Sequence, residues 1–215
     1  MTAPAAAGAG GFGRLLEELR GILVERSIRY GDFTLASGAT SRYYCDTKLT
    51  VLTPRGAMLI GEALLAVLRP YGVEAAGGLA MGAAYLATAV AIASERERER
   101  GGAPEAEPIY GFTVRPERKD HGRGQRIDEA WHPEGKLLRP GRRVAVLDDV
   151  VTTAGSTLRA LDALLEAGCD VRVAAAVLDR QAGGAEAIRA RGIPFHALFA
   201  ADREGRIIVA AGRPG

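Results

Sequence analysis

Residues 144–157 read VAVLDDVVTTAGST, and this stretch decides the fold. The apolar run 144–147 has the length and composition of a buried parallel strand. Two adjacent acids, Asp148 and Asp149, stand at its carboxyl end. Thr152, Thr153, Ala154, Gly155, Ser156 and Thr157 follow as a loop, and an apolar-periodic segment opens at Leu158. A loop of small residues that opens a helix presents unpaired backbone N–H groups and the positive end of the helix dipole, so it can hold a phosphate. The hydroxyls add donors. Ligands of open α/β sheets bind at the carboxyl ends of strands. The acids repel a phosphate and suit ribose hydroxyls or a divalent cation instead. They also repel each other unless something outside the chain uses them. The stretch thus predicts a sugar-phosphate site. The same residues also fit a plainer reading, in which the acids solvate a loop and the TTAGST run only caps a helix.

The rest of the chain alternates in the same way. Residues 1–11, MTAPAAAGAGG, have the composition of a disordered tail. Residues 8–13 match G-x-G-x-x-G, but no strand precedes them, so the dinucleotide reading fails. An amphipathic helix is expected over 12–26. A hairpin follows, with Phe33 and Leu35 on one arm, Tyr43 and Cys45 on the other, and a turn over 37–41. In such a strand Tyr43 and Tyr44 point to opposite faces; one can enter the core while the other faces a ligand, and plain packing fits either tyrosine taken singly. Thr53 and Pro54 read as N-cap and first helical residue, and Pro70 with Gly72 closes that helix. Strands are expected over 73–80, 109–114, 144–147, 171–178 and 195–199. Helices are expected over 83–98, 157–167 and 184–191. This alternation predicts a parallel sheet flanked by helices.

Composition narrows the function. A chain of 215 residues that is 47% hydrophobic can bury one α/β core, and with 6% aromatics that core is mostly Ala, Val and Leu. A net charge of +2 gives no reason to expect nucleic acid. Cys45 and Cys169 are the only cysteines and form no CxxC pair, which argues against a zinc site or disulfide framework and fits a reducing cytosol. No run is long enough to span a membrane, and the N-terminus lacks the features of a signal peptide. No Walker sequence is present, which removes a P-loop kinase or ATPase. Residues 115–143 form a long polar loop rich in Arg and Lys, whose glycines would let it close over an anion; taken alone, the loop fits a solvated basic insertion slightly better.

At this point the motifs resemble a known family. VAVLDDVVTTAGST is similar to the signature of the type I phosphoribosyltransferases, which use 5-phosphoribosyl 1-pyrophosphate (PRPP). RPERKDHGRG resembles the mobile catalytic loop of the orotate phosphoribosyltransferases, FTLASGATSRYYCD their N-terminal hairpin, and LDRQ at 178–181 their segment after the next strand. The resemblance implies a type I phosphoribosyltransferase-like α/β fold: a parallel sheet flanked by helices with a small N-terminal hairpin hood. It places a hood over 12–50 and a mobile loop and insertion over 115–143 of a single domain, 12–215. It implies that Thr152 to Thr157 cradle the 5-phosphate and that Asp148 and Asp149 meet the ribose. Arg115, Lys119 and His121 would meet the pyrophosphate across a homodimer with shared sites. Arg180 would bind the carboxylate of orotate, with Thr152 at its ring and Tyr43 and Tyr44 nearby. Mg²⁺ would be held mainly by PRPP rather than by protein ligands.

Relatives often carry lysine where Pro116 stands, and some where Ala36 and Leu86 stand; Arg118, Arg123 and Arg126 offer partial compensation. The segment 128–138, with Trp131 and His132, matches none of these motifs. The expected reaction is orotate plus PRPP giving orotidine 5-monophosphate and pyrophosphate, a step of de novo UMP synthesis. A phosphoribosyltransferase for another base, or a non-catalytic PRPP sensor on the same fold, are the rival readings.

Overall fold

The computed structural model describes residues 9–34, 40–101, 107–116 and 126–210. Its centre is β6 (Arg143–Val151), the strand of the deciding stretch, in a seven-stranded sheet ordered β5-β4-β3-β6-β7-β8-β9. The other strands are β3 (Ala75–Leu79), β4 (Tyr110–Val114), β5 (Ile127–Glu129), β7 (Asp170–Asp179), β8 (Phe195–Ala201) and β9 (Ile207–Val209). β3, β4, β6, β7 and β8 pair in parallel, while β5 and β9 are antiparallel edges. The sheet is therefore mixed rather than purely parallel. Both edge strands are three residues long, too short to show a period of two in the sequence.

After the exposed Arg143, β6 is apolar from Val144 to Leu147 because both faces are covered there. Ala145 and Leu147 enter one core with α1 (Ala9–Ser27), α3 (Pro54–Leu68) and α4 (Gly82–Glu99). Val144 and Val146 enter a second core with α5 (Gly155–Glu166) and α6 (Gly184–Arg189). On α1, Leu16, Leu19 and Leu23 recur at helical spacing and are fully buried. Each stabilises the packed helix by about 2 kcal/mol. α1 starts at Ala9, inside the stretch expected to be a tail; residues 1–8 lie outside the described residues. α3 starts as its sequence predicts: Thr53 accepts from the Gly56 N–H at 3.1 Å and Pro54 takes the first helical position.

β1 (Ile28–Thr34) and β2 (Thr40–Cys45) form a separate antiparallel pair, the expected hairpin, followed by a short helix, α2 (Lys48–Val51). Residues 35–39, which include Leu35, Ala36 and part of the expected turn, lie outside the described residues, and Thr40 and Ser41, expected in that turn, belong to β2. Tyr43 and Tyr44 do face opposite ways: Tyr43 is 3% exposed and Tyr44 43%.

The stretch 115–143 is not one loop. β5 pairs back onto β4 with Val114 opposite Ile127, and Arg115 N–H donates to Arg126 O at 2.7 Å, closing the base of the intervening segment. The unfamiliar part beyond β5 is structural in large measure. Leu137 and Leu138 plug the second core, and the His132 ring stands edge-on to Tyr110 at 4.9 Å. Trp131 is 81% exposed, and nothing in the structure explains it. Leu86 is fully buried on α4, so that position faces the core and not a ligand.

Candidate active site

The chemistry-bearing groups gather at the carboxyl edge of the sheet, where β3, β6 and β7 end. β6 runs on through the acids to Val151, so the pair sits within the strand rather than beyond it. The repulsion within the pair, expected to need a partner from outside the chain, is met by partners from within it. Ser156 Oγ and Thr157 Oγ1 both donate to Asp148 Oδ2 at 2.6 Å, and the Asp149 N–H donates to Asp148 Oδ1 at 3.0 Å. Asp149 Oδ2 accepts from Thr47 Oγ1 at 2.7 Å, and its Oδ1 from the Val150 N–H at 3.0 Å. Gly82, at the start of α4, lies against this carboxylate; a Cβ there would stand 2.5 Å from Asp149 Oδ1. The Ala80–Met81 peptide bond beside it is cis.

Asp148 is 7% exposed. Burial pushes its carboxyl up to about 6; the Ser156 and Thr157 hydroxyls pull the other way, and the Asp149 charge adds to the rise. The sign of the stability effect follows. Between the ordinary carboxyl range and about 6 the folded chain holds a proton that the unfolded chain has lost, so stability falls as pH rises through that window. The loss is on the order of 3 kcal/mol and persists at neutral pH. Asp148→Asn keeps the shape and removes the buried charge, so its melting temperature at pH 7.5 should exceed that of the native chain. Its stability should also decline less between pH 4 and 6. A lower melting temperature for the variant at pH 7.5 would contradict this account.

The loop between β6 and α5 turns through Ala154, which is buried in the left-handed region at φ 65°. Ala154 is also the N-cap of α5 and offers no side-chain acceptor, which leaves first-turn N–H groups to an anion. Thr153 and Gly155 are exposed, and Thr152 is half-buried. Ser156 and Thr157 face Asp148 instead, so their hydroxyls in this state orient the acid rather than stand free for a phosphate.

Arg180 follows β7, in a turn fixed by Asp179 Oδ1 accepting from the Gln181 N–H at 2.8 Å. Its guanidinium reaches the hairpin, donating to Tyr43 Oη and Ser41 Oγ. Cys45 feels both halves of the site. Burial and then the Asp149 charge push its thiol up to about 12, with Arg180 opposing. The thiol is therefore neutral and unreactive at physiological pH. Arg115 is engaged elsewhere: Nη2 donates to Asp128 Oδ1 at 2.7 Å and Nε lies 2.7 Å from Oδ2. Lys119 and His121 lie outside the described residues.

No family model matches the chain. The orotate phosphoribosyltransferase of Aquifex aeolicus is 41% identical to it over 186 residues, 85% of this chain and 93% of the relative. The chain belongs to the orotate phosphoribosyltransferase family. The solved orotate phosphoribosyltransferase of Mycobacterium tuberculosis H37Rv matches its fold with a TM-score of 0.71 at 31% identity, covering 86% of this chain and 96% of that one. The same enzyme in complex with PRPP matches at 0.67 and 29% identity, with the same coverage of each chain. The mixed sheet and separate hairpin are the architecture of that family.

For this family member, the structure brings together Asp148, Asp149, the 152–157 loop, Tyr43 and Arg180 at one edge, and ties Arg115 to Asp128. Thr47, Ser41, Asp128 and Gly82 also belong to this region, and no motif in the sequence singles them out. Thr47 is fully buried and lies 102 positions before the Asp149 that its hydroxyl serves, so no local pattern marks it. Lys48 also carries no local signal: it pairs with Asp46 at 3.1 Å, and the charge of Asp149 acts on it.

Proposed function

We propose that this chain transfers the phosphoribosyl group of PRPP to orotate, giving orotidine 5-monophosphate and pyrophosphate in de novo pyrimidine biosynthesis. One observation carries the proposal: the acidic pair, the uncapped start of α5 and Arg180 converge on one edge of the sheet. An anion-binding helix start beside two acids suits a ribose phosphate, and an arginine nearby suits an acidic base.

In this reading backbone N–H groups from Thr153 to Ser156 take the 5-phosphate. Asp149, half-exposed and held by Thr47, accepts from the ribose hydroxyls; Asp148 stiffens the loop through Ser156 and Thr157 and meets the ribose with the acceptor capacity those bonds leave. Displacement at the anomeric carbon passes through a cation-like sugar while negative charge grows on the departing pyrophosphate. Lys119 and His121 stabilise that charge, with Arg115 once Asp128 releases it. Orotate arrives as an anion at the reacting nitrogen, so no general base is needed. Excluding water from the site protects PRPP from hydrolysis.

A divalent cation fits this site only as a guest of the substrate. Among the described residues no group of three or more His, Cys, Asp or Glu could hold a metal ion. Internal donors take three of the roughly four acceptor sites of Asp148, whereas the half-exposed Asp149 can add one carboxylate oxygen. One carboxylate plus substrate phosphates is a common Mg²⁺ arrangement. When bound, the ion neutralises charge on the pyrophosphate. A homodimer with shared sites completes the proposal, on the strength of the sequence resemblance of the 115–126 segment. Among the described residues, no helix is long and apolar enough to cross a membrane.

The direct test is the loss of orotate absorbance with PRPP, with and without Mg²⁺, alongside a panel of other bases. Turnover of a different base alone would replace the substrate, and PRPP binding with no turnover of any base would make the chain a sensor. Thr47→Val removes the hydroxyl behind Asp149 at nearly constant shape. It should weaken PRPP binding by about five- to tenfold, the worth of a hydrogen bond to a charged group. An unchanged dissociation constant by calorimetry would detach Asp149 from the ribose.

A further inference from the structure

Arg180 is held on two sides before any ligand arrives. Its Nε donates to Tyr43 Oη at 3.0 Å and its Nη2 to Ser41 Oγ at 2.8 Å. The guanidinium also lies over the Tyr43 ring, with Cζ 4.4 Å from the centroid. Nε and the adjacent Nη2 hydrogen form the lateral edge of the guanidinium fork, and that edge is filled. The distal edge, Nη1 with the second Nη2 hydrogen, meets no partner among the described residues. Such an edge matches the two oxygens of a carboxylate.

The clamp is itself fixed. Ser41 Oγ gives its one proton to the Tyr43 carbonyl at 2.7 Å, so toward Arg180 it can only accept. The Tyr43 ring rests on the turn between β8 and β9. A Cβ at Gly205 would stand 2.5 Å from Tyr43 Cγ, and Gly205 has φ +82°, so both space and backbone call for glycine there. Tyr30 Oη adds a bond to Gly205 O at 3.3 Å. Two hairpins and the end of β7 thus meet around one guanidinium.

We propose that Ser41 and Tyr43 are positioning residues that set base selectivity: they occupy the lateral edge of Arg180 and leave its distal edge aimed for a carboxylated pyrimidine. The inference rests on the reading that Arg180 meets the carboxylate of the base. An arginine with one edge pre-bound has less rotamer freedom to lose when the ligand docks. A base without a carboxylate gains nothing from that edge.

The test compares the native chain with Ser41→Ala, Tyr43→Phe and Ser41→Thr. It reads orotate KM and kcat, the inhibition constant of uracil against orotate, and the PRPP dissociation constant by calorimetry. Ser41→Ala and Tyr43→Phe should each raise orotate KM about tenfold, the worth of one hydrogen bond to a charged group. The uracil inhibition constant and PRPP affinity should stay within about twofold, since neither ligand uses that edge. Ser41→Thr, which retains the hydroxyl, should restore orotate KM. An unchanged orotate KM in both variants overturns the clamp. A parallel rise in the uracil constant or in PRPP dissociation also overturns it, because the residues would then shape the pocket as a whole. A native chain that neither binds nor turns over orotate defeats the proposed function instead. Ser41→Ala, which deletes only a half-buried hydroxyl, keeps the test decisive if Tyr43→Phe lowers the melting temperature.

Discussion

Lys119→Ala should lower kcat by about 100- to 1,000-fold while changing the PRPP dissociation constant by no more than a few-fold. The chain has only Lys48, Lys119 and Lys136. Lys48 is paired with Asp46 beside Asp149, and Arg115 is tied to Asp128. Pro116 adds no charge beside Arg115. On the proposed function, much of the positive charge for the leaving pyrophosphate therefore falls to Lys119. Charge on pyrophosphate grows along the reaction, so a cation placed for it lowers the barrier more than it tightens the substrate. Single-turnover rates with calorimetric PRPP binding separate the two effects. Equal losses in rate and binding would mean that Lys119 holds the ground state as tightly as the transition state.

Arg180→Ala should raise orotate KM by about 100-fold with a much smaller change in PRPP affinity, because a carboxylate would enter a site whose matching donors are gone. The effect should exceed that of either clamp variant, since the clamp residues only aim the guanidinium whereas this change removes it. Arg180→Lys should recover little, because an ammonium cannot offer two parallel N–H bonds. The removal also leaves Tyr43 Oη and Ser41 Oγ without their shared donor, so melting temperature belongs in the same measurement. An orotate KM unchanged in Arg180→Ala would take the arginine out of the base site and with it the selectivity argument.

Local patterns in the chain specify most of its architecture. The apolar run before Asp148 and the small residues after it mark a central strand and a helix start. The Thr53–Pro54 pair marks the start of α3, and Pro70 with Gly72 its end. The tyrosines at 43 and 44 follow the strand period. These features were legible because strand periodicity, capping and turn chemistry act over a few residues. The order of four motifs was enough to reach the family.

The tertiary structure decided what those residues touch. Two neighbouring acids looked as if they needed an external partner, yet Ser156, Thr157 and Thr47 solvate them from within, the last across 102 positions. Arg180 looked like a free ligand for a carboxylate, and the fold shows it half-committed to Ser41 and Tyr43. Arg115 likewise carries a partner in β5, a strand too short to announce itself. A hydrogen bond across the fold depends on how separate elements dock, and docking is set by the packing of both cores rather than by any window of sequence. The sequence alone therefore determined which groups stand at the sheet edge. Only the fold determined which of their hydrogen-bonding edges remain open to a substrate.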